Sequence, residues 1–142
     1  MKKKMTVYII TIISLSVLLS ISCSTASKIP PQRVYKPITG SILLDNSIIL
    51  KKAIAINIQL LDVTIPTDDA IQLSKQIIKN PKKIPVNFSM RFDEHDIKSY
   101  GSYIIRLSVY EGETKIYKST HDIAVLTKGN PDIIEIPVEQ VY

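Results

Sequence analysis

Val86-Asn87-Phe88-Ser89-Met90-Arg91-Phe92 alternates apolar and polar side chains without a break. A period of two puts Val86, Phe88, Met90 and Phe92 on one face and Asn87, Ser89 and Arg91 on the other, as in a strand with one face in a core and one in water. The same rhythm extends outward from it. Ile54, Ile56, Ile58 and Leu60 alternate with Ala55, Asn57 and Gln59, and Tyr103, Ile105, Leu107 and Val109 alternate with Ile104, Arg106 and Ser108. Glu111-Gly112-Glu113 reads as a turn, so Lys115 to Thr120 returns as a hairpin partner. Ile123 to Leu126 continues that strand or starts another. Lys128-Gly129-Asn130-Pro131 is a second turn. Ile134, Ile136 and Val138 form the inner face of the last strand, where Pro137 predicts an edge position or a strand end. Gly40 to Leu44 is a short first strand.

Asp68 to Lys79 reads two ways. Asp68 or Asp69 suits a helix cap, with Leu73 and Ile77 four apart. Ile71, Leu73 and Ile77 also share a strand face. Seven or eight short strands at regular turn spacing favour the strand.

Composition agrees with a β-rich fold. The 142 residues allow one domain. Hydrophobic residues make up 45%, many of them Ile and Val, and Trp is absent. The formal charge of +5 includes Lys2, Lys3 and Lys4 at the extreme N-terminus. The rest is nearly balanced and has no basic run interleaved with aromatics, so no nucleic-acid partner is expected. A single cysteine, Cys23, cannot form an internal disulfide.

The N-terminus gives that cysteine a place. Met1-Lys2-Lys3-Lys4 is a positive start, Met5 to Ile21 is an apolar run, and Ser22 is a small residue before Cys23. This order is that of an export signal. Ser20-Ile21-Ser22-Cys23 resembles a bacterial lipobox, although Leu is more usual where Ser20 stands. The resemblance implies cleavage between Ser22 and Cys23, a diacylglycerol on the Cys23 thiol and an acyl chain, palmitate for example, on the new amine. Two or three acyl chains anchor a protein stably. Ser24 rather than Asp after the cysteine implies the outer membrane. No other cofactor is expected. The expected organisation is a lipoprotein signal over 1–22, a lipidated flexible tether over 23–37 with Pro30, Pro31 and Pro37, and a domain over 38–142.

The domain resembles the small lipoprotein family that groups YbaY-type envelope lipoproteins with YscW-type pilotins of type III secretion. The residues that carry the likeness are Ile38-Thr39-Gly40-Ser41, Asn57 to Val63, Asp69-Ala70, Ile84 to Phe88, Arg91-Phe92-Asp93, Tyr103 to Arg106, Gly112 and Ile136-Pro137-Val138. It looks closer to the YbaY-type members. The resemblance implies a compact antiparallel β-sandwich of seven to eight strands (immunoglobulin- or transthyretin-like) and no catalytic residues. It also implies, by analogy with pilotins, binding of a secretin segment.

Other candidate sites have plainer readings. Asp93-Glu94-His95-Asp96, with His121-Asp122 as a distant second contribution, is the one cluster suggestive of a metal, but consecutive residues on a strand cannot converge on an ion. A solvated turn begun by Asp93 is expected instead, and no metal site. Asp62, Asp68 and Asp69 read as loop-forming and capping residues around Pro66 rather than an acid/base pair. No nucleophile elbow, zinc-protease motif or phosphate-binding loop is present, so no enzyme is expected. Ile78, Ile104 and Tyr110 fall on strand faces that should be polar if they meet water, so they are candidates for a partner groove. Tyr100, Tyr103, Tyr110 and Tyr117 suit core or interface equally.

The expected function is a lipid-anchored, non-catalytic binding or chaperone module at the periplasmic face of the outer membrane. Its partner would be an envelope protein such as a secretin, or a peptide segment of one. The alternative is an outer-membrane lipoprotein that binds a small apolar or glycan ligand.

Overall fold

The structure is a computed structural model and describes residues 32–45, 47–48, 53–66 and 69–141. The expected export signal over 1–22, Cys23, most of the expected tether and Asp68 lie outside the described residues. Eight strands follow in order: β1 (Tyr35–Leu43), β2 (Ile54–Asp62), β3 (Ile71–Lys79), β4 (Val86–Asp93), β5 (Tyr103–Glu111), β6 (Thr114–Ser119), β7 (Ile123–Val125) and β8 (Ile133–Gln140). The ambiguous 68–79 stretch is thus strand from Ile71. The residues after Thr120 start a strand of their own rather than prolonging β6.

The strands form one sheet in the order β3-β2-β5-β6-β8-β1-β4, with β7 also on β5. Its two terminal strands, β3 and β4, come together, where the Ser74 hydroxyl donates to the Arg91 carbonyl at 2.6 Å. The sheet therefore curls almost into a barrel around a single core. The all-β class stands, with two differences from a purely antiparallel sandwich. The sheet is mixed, because β1 and β8 run parallel, with Thr39 opposite Ile133. It is also continuous, because β8 pairs with β1 through Ile133–Pro137 and with β6 through Val138–Gln140. Pro137 sits where β8 passes from one neighbour to the other. The strand is central rather than at an edge, and the missing N–H falls where both ladders end.

Alternation builds the core as expected. Ile54, Ile56, Ile58 and Leu60 of β2, Phe88, Met90 and Phe92 of β4, and Tyr103, Ile105, Leu107 and Val109 of β5 are all buried. Fully burying one such side chain contributes about 1.5–3 kcal/mol. Gly40 of β1 is what lets β1 lie between β4 and β8. A β-carbon there would stand 2.2 Å from the Ile134 carbonyl oxygen and 2.8 Å from the Phe88 ring.

In β3 the alternation is broken. Leu60 lies opposite Ser74 but Leu61 lies opposite Gln72, so Leu73 is bulged out. As a result Ile71, Leu73 and Ile77 do not share one environment. Ile71 and Ile77 are exposed, and Leu73 packs partly against the core. β5 and β6 are joined by the two-residue turn Gly112-Glu113, with Glu111 opposite Thr114. Gly112 has φ +62 there, as the first position of the tight turn that suits twisted strands requires.

Candidate functional site

The pairing directions bring the start of β1, the end of β2, the start of β3, the end of β4, the start of β5, the end of β7 and the start of β8 to one rim. The connection from β4 to β5 crosses this rim and divides two clefts. The larger, of about 650 Å³, is lined by Pro37, Phe92, Ile97 and Leu126, with Lys36, Glu94, Ser99, Lys128, Asn130 and Asp132 among its polar walls. The smaller, of about 270 Å³, is lined by Ile65, Ile71 and Tyr100 with Asp62, Asp69 and Lys98. Ile97 and Ser99 face one cleft while Lys98 and Tyr100 face the other, and the segment closes in a turn where the Gly101 amide donates to the Lys98 carbonyl at 2.9 Å.

This connection is held in place by hydrogen bonds. Asp93 starts it and caps the 3-10 turn Glu94–Asp96 by accepting from the His95 amide. The His95 ring nitrogen Nδ1 lies 3.0 Å from the same carboxylate oxygen. The bond from the His95 backbone, then that from its ring, hold the Asp93 carboxyl below its ordinary pKa. Arg33 adds a longer contact at 3.8 Å. Further along, the buried Tyr103 hydroxyl accepts from the Lys98 amide at 2.8 Å. Thr127 donates from its hydroxyl to the Gly101 carbonyl at 2.8 Å, and Lys128 Nζ donates to Ser102 Oγ. Lys36 and Glu94 form an ion pair on the wall of the larger cleft.

The opposite wall of that cleft is the loop from β7 to β8. Leu126 has φ +70 there, rare for a branched side chain. The Thr127 amide donates to the Val125 carbonyl at 2.8 Å, closing a left-handed three-residue turn around Leu126. Asn130 fixes the loop from its other end, its backbone and side-chain N–H groups both donating to the Thr127 carbonyl. Strain of this kind persists where the surroundings over-determine it, and it concentrates at binding sites. Here it turns an apolar side chain into the wall of the cleft.

The residues singled out from sequence fall as follows. Asp93 to Asp96 form the expected turn. His121 Nδ1 meets Thr120 Oγ1, and Asp122 makes a two-pronged pair with Arg106. That pair lowers the Asp122 pKa. Among the described residues no group of three or more His, Cys, Asp or Glu is placed to hold a metal. Asp62 accepts from the Thr64 amide, a loop-forming role, and Asp69 is exposed in the smaller cleft.

Ile78, Ile104 and Tyr110 are not gathered into one groove. Ile78 stands opposite Ile56 on the core side of β3, because the bulge at Leu73 resets the faces. Ile104 and Tyr110 lie on the outer side of β5, at opposite ends, where the Lys115 ammonium sits 5.9 Å from the Tyr110 ring centre. Of the other tyrosines, Tyr100 is exposed and Tyr103 buried, while Tyr117 packs partly against the core. Sequence reasoning missed Ile97 and Leu126. The turn residues after Leu126 mark a loop, but nothing in the sequence announces the left-handed Leu126.

Comparison with known proteins agrees with this architecture. The family model described as type III secretion system lipoprotein chaperone (YscW) matches residues 33–137. No curated protein matches the chain in sequence. A solved structure, an alternative pilotin from the type II secretion system of Vibrio cholerae, superposes with a TM-score of 0.70 at 20% identity. The alignment covers 77% of this chain and 99% of that one. At that identity the likeness speaks for the fold, and the sequence match, running from just before β1 into β8, speaks for kinship. The chain belongs to the family of type III secretion system lipoprotein chaperones.

Proposed function

We propose that the protein is a non-catalytic, pilotin-like lipoprotein, held by acyl chains on Cys23 at the periplasmic face of the outer membrane. There it binds a segment of a secretin-class envelope subunit in the larger rim cleft. The observation that carries this reading is the family match over residues 33–137. The cleft supports it. Pro37, Phe92, Ile97 and Leu126 offer apolar surface, and Lys36, Glu94, Lys128 and Asp132 offer charges of both signs around it. Such a combination takes apolar anchors of a peptide while the rim fixes its register.

The test is co-purification of the full-length protein with a secretin from detergent-solubilised envelopes. Ile97→Asp and Lys128→Glu each reduce recovery of the partner by about tenfold, about 1.4 kcal/mol, while circular dichroism is unchanged. Recovery unchanged in both variants refutes the cleft assignment. Cys23→Ser loses the acyl mass and leaves the membrane fraction. A Cys23→Ser protein that stays in membranes with its leader intact refutes the anchor.

A further inference from the structure

From Ala70 to Phe92 the chain carries Lys75, Lys79, Lys82, Lys83 and Arg91 and not one acidic residue. This stretch is β3, β4 and the link between them. The rest of the sequence from Arg33 onward holds more Asp and Glu than Lys and Arg, so a nearly neutral domain concentrates its positive charge on one hairpin. Elsewhere Lys36, Arg106 and Lys118 have acidic partners in Glu94, Asp122 and Glu139. All five hairpin cations are exposed, and among the described residues none is in an ion pair.

The backbone of this hairpin is also unfinished. β3 and β4 are antiparallel neighbours, yet no ladder joins them among the described residues. The Asn80 amide donates to Ile54, so the alternate residues Ile78 and Gln76 also turn their backbone groups to β2. Those of Lys75, Ile77 and Lys79 are left facing β4. The Glu94 amide donates to Val34, so Asn87, Ser89 and Arg91 likewise face away from β1 towards β3. The Ser74 bond to the Arg91 carbonyl is the one hydrogen bond between the two strands among the described residues. The Gln76 side-chain oxygen is buried on β3 with no hydrogen-bond partner. Ile77 is 51% exposed in the middle of the seam, between Lys75 and Lys79.

We propose that the β3–β4 seam docks an extended acidic segment of another polypeptide, its carboxylates on Lys75, Lys79, Lys82, Lys83 and Arg91 and an apolar side chain over Ile77. The open backbone groups favour a peptide, since main-chain pairing along a sheet edge gives affinity that a lipid headgroup cannot supply. Lysines on an edge also discourage sheet-to-sheet stacking. Lys82 and Lys83 lie on the link, off either edge, and serve no such purpose. This surface lies apart from the rim cleft, so the proposal stands whether or not the cleft binds a secretin.

The test uses the full-length protein in neutral detergent micelles and a fluorescent heptapeptide that alternates Glu with Ile and Val. The same peptide with Lys for Glu is the control. Binding of the acidic peptide alone, weakened by salt and by about tenfold in Lys82→Glu/Lys83→Glu/Arg91→Glu, is expected. Ile77→Ser weakens binding several-fold without changing its salt dependence, and the peptide shields Lys75, Lys79, Lys82 and Lys83 from acetylation. No binding, or binding indifferent to charge reversal in a variant of unchanged circular dichroism, overturns the proposal. So does shielding of the same lysines without peptide in phosphatidylglycerol vesicles, which assigns the surface to the membrane. Charge-dependent self-association that blocks the peptide also overturns it, giving the surface to a second copy.

Discussion

Asp93 shows how much one residue settles. Its place after Phe92 in an alternating strand marks it as a turn former. The structure adds that its side chain is nearly buried, 8% exposed, and accepts from His95 twice over. Hydrogen bonds to the charged form lower its pKa, so its contribution to stability is present at neutral pH and fades as pH falls through the depressed native value. Asp93→Asn is therefore expected to melt at a lower temperature at pH 7. The gap to the wild type should close below the ordinary Asp value of about 3.9. Thermal melts across an acid series check this, and a gap independent of pH would rule out the charge as its source. Leu126 is the opposite case. Its left-handed backbone depends on hydrogen bonds from Thr127 and Asn130, which no local pattern foretells.

Among the elements, β2, β4 and β5 were legible because each buries one face and leaves the other in or near water, and the period of two records that. β3 was legible as a strand but not in its facing. The bulge at Leu73 is invisible to periodicity, and it moves Ile78 to the core side. The β4–β5 connection was legible only as a turn. Its rigidity comes from Tyr103, whose hydroxyl accepts from the Lys98 amide and lies 3.4 Å from the Asp96 carbonyl. Tyr103→Phe strands the Lys98 N–H and should cost about 1–2 kcal/mol. Chemical denaturation measures that cost. Faster amide exchange confined at first to residues 97–102 would show that the connection loosens before the sheet does.

At the scale of the molecule, the sequence marked the all-β class and the strand count, but not which strands are neighbours. A period of two tells a strand which face to bury and says nothing about its partner. The parallel pairing of β1 with β8 therefore had no local signature, and neither did the handover at Pro137. Both make β8 indispensable, since among the described residues its backbone ladders alone join β1 and β4 to the rest of the sheet. A chain ending before Ile133 is expected to lose its cooperative thermal transition. A sharp melt in that truncated chain would show that the two parts of the sheet cohere without it.

The position of β8 also sets a timetable. Thr39 must wait for Ile133, so β1 stays without one of its neighbours until more than ninety further residues have emerged, about 94 by sequence separation. Partnerships so distant along the chain are slow to form, and unfinished sheet borders invite aggregation meanwhile. On the export route proposed above, through a translocon with the amino end first, such a protein gains little from folding piecemeal. On that proposed route its maturation is expected as one late event, sensitive to whatever guards nascent chains on the far side of the membrane.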